Sequence, residues 1–165
     1  MKGFTLVETL IYLAIVGMVM GSLISFGLSL SQAREKTFAQ QEVQANMRFV
    51  LDIMGRAIRE SDGVDEENSI FESDAGRIQL FSAEASKNPI VLLLDTAENT
   101  VFIQEGMLVP VRLTSDEVNI TRLIFENRTV EGSSKETIGI EIEMGYGNDL
   151  LNTRREARTS VNIRR

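Results

Sequence analysis

Residues 1–33 read MKGFTLVETLIYLAIVGMVMGSLISFGLSLSQA and carry two charged side chains, Lys2 and Glu8. The other 132 residues carry 39. Two different materials are therefore joined in one chain. Between Glu8 and Arg34 run 25 residues without a formal charge, and a helix of about 20 apolar residues crosses the hydrocarbon core of a bilayer. A removable secretory signal has an apolar run of about 7–15 residues closed by a small-x-small cleavage site. Here the run is about twice as long and passes into a helical pattern, which favours a retained membrane helix.

Within this run Gly17, Gly21, Ser25 and Ser29 recur every four residues. That spacing places small side chains on one helical face, where another helix can approach closely. The plainer reading is that Gly and Ser are common in membrane helices. Lys2 with the terminal amine lies on one side and Arg34 with Lys36 on the other, so the charge bias that orients a span is nearly balanced. Glu8 is the odd member. A carboxylate in hydrocarbon costs roughly 2.5–3.5 kcal/mol on insertion scales. It either has a partner or sits at the headgroup boundary and ends the span.

The whole chain has 165 residues and 18.4 kDa, enough for one domain with a real core. Its 17 basic and 24 acidic residues leave a net charge of −7, which argues against general nucleic-acid binding. It contains no Cys, His or Trp. Disulfides, thiolate and imidazole metal sites, Cys nucleophiles and His bases are thereby excluded. No catalytic triad, pocket motif or metal-ligand spacing appears, so neither an enzyme nor a cofactor is expected.

The N-terminus, Gly3-Phe4-Thr5-Leu6-Val7-Glu8 followed at once by an uncharged helix, resembles the class III leader of type IV prepilins and type II secretion pseudopilins. The resemblance implies cleavage between Gly3 and Phe4 by a membrane prepilin peptidase, with Phe4 becoming the methylated N-terminus. It further implies that Glu8 pairs with the free amine of a neighbouring subunit. Opposite charges a few ångströms apart in low dielectric favour both ionised forms. A three-residue leader is short for the family. Removing it would take the side-chain balance from −7 to −8.

The helical pattern continues past Arg34. Val43, Met47, Val50, Leu51, Met54, Ala57 and Ile58 form one face, while Gln40, Gln41, Gln44, Arg48, Asp52, Arg56 and Arg59 occupy much of the rest. No Pro interrupts residues 4–60, and Ser61-Asp62-Gly63 supplies a stop. One helix of about 56 residues, roughly 84 Å long, is expected. The acidic stretch 60–74 holds Asp62, Asp65, Glu66, Glu67, Glu72 and Asp74 without the spacing of an EF-hand. A solvated loop is the favoured reading and calcium the alternative.

From residue 77 the period becomes two. Strands are expected at 77–82, 90–95, 100–104, 107–113, 118–127, 136–144 and 157–164, with hairpin turns at 96–99 and 105–106. Pro110 demotes its strand to an edge. Segments 132–134 and 145–152 read as surface loops. The expected fold is α+β, a long helix laid on one largely antiparallel sheet in a pilin-like roll. The expected organisation is a leader at 1–3, a hydrophobic membrane and assembly helix at 4–33, its amphipathic continuation at 34–60, and a β-sheet domain at 61–165.

The stretch Gln44-Ala45-Asn46-Met47-Arg48-Phe49-Val50-Leu51-Asp52-Ile53-Met54 with Arg56 and Arg59, and the terminal Ala157-Arg158-Thr159-Ser160-Val161-Asn162-Ile163-Arg164, look like J-type pseudopilins and W-type minor pilins. The resemblance implies a minor subunit that starts or caps a filament. It implies as partners the prepilin peptidase, other pilins through the N-terminal helix, an inner-membrane assembly platform, and the lipid bilayer before assembly. The β domain would then lie outside the cytoplasmic membrane. Five of the 17 basic residues, Arg154, Arg155, Arg158, Arg164 and Arg165, fall in the last 12 positions. They either contact an acidic partner or DNA, or protect an edge strand from aggregation. A membrane-anchored binding module that does not polymerise is the alternative to a filament subunit.

Overall fold

The computed structural model describes residues 5–130, 135–147 and 153–163. Helix α1, Leu6–Glu60, begins where the Thr5 hydroxyl accepts the Glu8 N–H at 3.3 Å and so caps one of the helix's unpaired donors. It ends at Ser61, whose hydroxyl donates back to the Ile58 carbonyl at 2.9 Å. The chain divides into two compact units, residues 1–38 and 39–165. In the first, side chains from Thr5 to Phe38 are exposed within the chain apart from half-buried Val16.

In the second unit the amphipathic pattern of α1 turns one face inward. Val43, Val50, Met54 and Ile58 are fully buried and Met47 nearly so, while Leu51 and Ala57 pack partly against the same core. Full burial of such a side chain contributes about 1.5–3 kcal/mol, so this face commits the helix to the sheets. Gln41, Gln44, Arg48, Asp52 and Arg56 stay exposed.

Among the described residues eight strands follow: β1 (Gly63–Val64), β2 (Arg77–Phe81), β3 (Ile90–Asp95), β4 (Thr100–Glu105), β5 (Val111–Arg112), β6 (Val118–Asn127), β7 (Thr137–Tyr146) and β8 (Arg155–Asn162). They form two antiparallel meanders, a five-stranded sheet in the order β1-β2-β3-β4-β5 and a three-stranded sheet β6-β7-β8. The expected α+β class holds, but one sheet becomes two. The outer edge of β6 is met by segment 72–76 instead of β5. Glu72 donates its N–H to the Phe125 carbonyl at 2.9 Å, Gly76 donates to Leu123 at 2.8 Å, and Leu123 donates to Asp74 at 2.9 Å. A single parallel bridge, Ala75 with Leu123, marks the seam. In β7 Ile138, Ile140, Ile142 and Met144 face the core as the alternation requires.

Several boundaries differ from the sequence pattern. The strand expected at 107–113 shrinks to two residues, because Pro110 has no N–H to give the ladder; it is nevertheless an edge. Strand β1 falls inside the stretch expected to be loop, and is too short to show a period. The last strand starts two residues earlier, and β7 runs to Tyr146 through the expected loop start. Loop 132–134, residues 148–152 of the second expected loop, and Arg164 and Arg165 lie outside the described residues.

Within the acidic stretch, Asp65 accepts hydrogen bonds from the Asn68 side chain and the Gln79 side chain, both at 2.9 Å. Glu66 accepts one from Asn127 at 2.7 Å. Asp65 and Glu66 are thus tied into the fold as acceptors. No group of three or more carboxylates able to hold a metal ion occurs among the described residues.

Candidate assembly helix

Gly3 and Phe4, the expected cleavage and methylation positions, lie outside the described residues. The described site begins at Thr5. Its hydroxyl caps the Glu8 N–H, and its carbonyl accepts from the Thr9 N–H at 3.2 Å and the Thr9 hydroxyl at 3.3 Å. The signal for this cap is Thr-x-x-Glu, the first half of a capping box. Glu8 stands in the first turn, where the helix dipole favours negative charge. Its carboxylate is exposed and has no ion-pair partner among the described residues.

Gly17, Gly21 and Ser25 fall on one face of α1 at four-residue spacing. Ser25 accepts the Ser29 hydroxyl through its carbonyl at 3.0 Å, so the Ser29 side chain folds back on its own helix. A Cβ built on Gly17, Gly21 or Gly27 would meet nothing within 4 Å. Each glycine costs about 1 kcal/mol of helix stability relative to Ala, and no contact among the described residues explains them. The helix contains a stretch long and apolar enough to cross a membrane, none of it buried in the chain.

The Arg-rich tail faces a different task. On the outer surface of the second sheet Glu141 is almost wholly buried, bonded by Arg122 and by Arg158 Nε at 3.0 Å. Arg158 also holds Glu156 at 2.8 Å, and Arg154 lies 3.9 Å from Glu143. Strand β8 is the edge of its sheet; Arg158 on it and Arg154 just before it work as intramolecular partners of acids on β7 and β8, while Arg155 is exposed. The sequence pattern did not single out Glu141, because its partners are brought together by strand register alone.

A family model described as the prokaryotic N-terminal methylation motif matches residues 1–24. No curated protein and no solved structure matches the chain. The motif supports a type IV prepilin-like protein, of the kind processed by prepilin peptidase, and points to a structural subunit instead of an enzyme. It fits an inner-membrane anchor later carried into a pilus, assembled with other pilins.

Proposed function

We propose that the chain is a minor pilin or pseudopilin that is cut after Gly3, methylated at Phe4, and assembled into a type IV pilus or type II secretion pseudopilus. Residues 1–3 are the leader, 4–33 the membrane and assembly helix, 34–60 its amphipathic continuation, and 61–165 the β domain. Before assembly the protein is a single-pass inner-membrane protein with its C-terminal domain extracytoplasmic. Its partners are the prepilin peptidase, sister subunits and the assembly platform, and its place is at the start or tip of the filament. The observation that carries this reading is the methylation motif at residues 1–24, set directly on an apolar helix with no buried side chain in that stretch.

In the filament Glu8 pairs with the methylated amine of a neighbouring Phe4, which supplies the partner its carboxylate lacks among the described residues. Gly17, Gly21 and Ser25 form the seam along which neighbouring helices approach. The first test is mass spectrometry of the protein from a strain with active prepilin peptidase. An N-methylated Phe4 terminus is expected, and an intact Met1 would leave a membrane-anchored binding module in its place. Glu8→Ala is expected to permit cleavage but reduce recovery in sheared filaments; unchanged recovery would remove the charge pairing.

A further inference from the structure

Between the last turns of α1 and the first sheet lies an open groove of about 390 Å³. Ile53 and Ala57 form one wall and Ile90 and Ile103 the floor, with Glu60 and Glu105 on the rim. The two cations in its lining, Arg56 and Lys87, are already engaged. Arg56 holds Asp52 at 2.8 Å and Lys87 holds Glu84 at 2.9 Å, leaving Glu60 and Glu105 without an ion pair among the described residues. The hydrogen bond from Lys87 to Glu84 raises its ammonium pKa most, and the fields of Glu105 and Glu60 add to it, so both free carboxylates lie within electrostatic reach of the groove. The apolar surface continues to Val111, the register partner of Ile103, and to Phe49, one turn before Ile53. Both are more than half exposed.

We propose that this groove docks a short amphipathic helix from a different protein chain, with an apolar ridge flanked by Lys or Arg. Three observations select that occupant. Strand addition at the nearby edge has little backbone to use, since β5 is two residues long and Pro110 next to it has no N–H. The stretch from Ile53 to Glu60 runs about 10 Å along α1, the length over which a helix sets anchors at i, i+4 and i+7. The acidic rim and the net charge of −7 repel a second copy and attract a basic segment. The proposal is independent of how residues 1–4 are processed.

The test uses the full chain in detergent micelles and a fluorescent 14-residue helical peptide with Leu at i, i+4 and i+7 and Lys beside them. Protein-free micelles give the baseline. The Lys peptide is expected to bind, and its Glu-flanked twin to bind at least tenfold more weakly. Glu60→Lys with Glu105→Lys should invert that preference, and Ala57→Trp should fill the groove and abolish binding while a cooperative unfolding transition shows that the chain is still folded. Should the double reversal fail to fold, Glu60→Gln with Glu105→Gln should still weaken the Lys peptide severalfold. Failure of the Lys peptide to bind, equal binding to the charge-reversed chain, or undiminished binding to Ala57→Trp would overturn the proposal. So would concentration-dependent self-association lost in Ala57→Trp, which would make the occupant a second copy.

Discussion

Asn46 of α1 accepts the Ser115 N–H through Oδ1 at 2.9 Å and donates through Nδ2 to the Ser115 hydroxyl at 3.3 Å. Glu42, one turn earlier, accepts from both, at 2.9 Å from Asn46 and 3.1 Å from Ser115. Ser115 lies in the connection from β5 to β6, where the chain leaves one sheet for the other. The helix thus fixes by hydrogen bonds the point at which the two meanders part. Asn46→Ala leaves the Ser115 N–H without its acceptor and is expected to cost about 1–2 kcal/mol. Ser115→Ala keeps that N–H bonded and should cost less. Urea unfolding of the two variants in detergent checks the order.

Two glycines hold positions that no side chain can take. A Cβ on Gly76 would stand 2.6 Å from the Leu123 carbonyl oxygen, in the seam between segment 72–76 and β6. Gly106 has φ +55° and its Cβ would stand 2.3 Å from the Ser86 carbonyl oxygen. Both obstacles are backbone, which cannot swing aside, so Gly76→Ala and Gly106→Ala are each expected to destabilise by about 2 kcal/mol or more. Gly145→Ala is the control. There the new Cβ would meet the Arg154 side chain at an ordinary 3.5 Å, and the thermal midpoint should scarcely move.

The elements with a long, clean period were legible in the sequence. Ile90–Asp95 and Val118–Asn127 appear with the expected bounds, and the buried face of α1 is the face its spacing marked. What period cannot carry is pairing between distant segments. The division into two sheets depends on segment 72–76 reaching Leu123 and Phe125, and the Asn46–Ser115 clamp joins residues 69 apart. Strand β1, two residues long, has no period to read. At the site, the motif at Gly3 to Glu8 was legible because it is contiguous. The Thr5 cap is written in the same letters, as Thr5-Leu6-Val7-Glu8.

Acid should weaken the stretch that follows α1 through Asp65. The Asn68 side-chain hydrogen bond is the chief cause that holds this carboxyl below its ordinary range, with the Asn68 backbone N–H and Gln79 adding to it. A lowered folded-state pKa means that the unfolded chain binds the proton more tightly. The stabilisation is therefore present above the ordinary carboxylate value and is lost as pH falls through the lowered one. Asp65→Asn is expected to be less stable at about pH 6, and the difference from the unsubstituted protein should shrink as pH falls below the ordinary carboxylate range. Thermal midpoints across that range decide the point; parallel curves would contradict it.

Glu141 sits under two arginines on the outer face of the second sheet, with a side chain 8% exposed. Removing it leaves Arg122 and Arg158 side by side, balanced by Glu156, 3.7 Å from Arg122 and 2.8 Å from Arg158, and by Glu143, 3.8 Å from Arg122. A broken buried pair costs about 3–5 kcal/mol, and the exposure of both arginines together with their remaining acids lowers that to about 1–3 for Glu141→Ala. Glu141→Gln keeps an acceptor and the shape, and should cost clearly less. Denaturant midpoints at low and high salt test both points. The penalty should persist at high salt, since screening acts weakly on a buried group.

The glycines of the N-terminal helix separate stability from assembly. A Cβ on Gly17 or Gly21 would meet nothing within 4 Å among the described residues, so Gly17→Ala and Gly21→Ala leave the isolated protein unharmed and raise helix stability by about 1 kcal/mol each. In a filament the same positions would face a neighbouring helix, where a larger side chain keeps the backbones apart. Gly17→Leu with Gly21→Leu is therefore expected to fold and insert normally in the membrane fraction while its recovery in sheared filaments falls severalfold. Gly27→Leu lies off the four-residue stripe and should assemble better than the double variant. If all three chains enter filaments equally, the small-residue face reflects only the composition of membrane helices, and the packing seam lies on another face of α1.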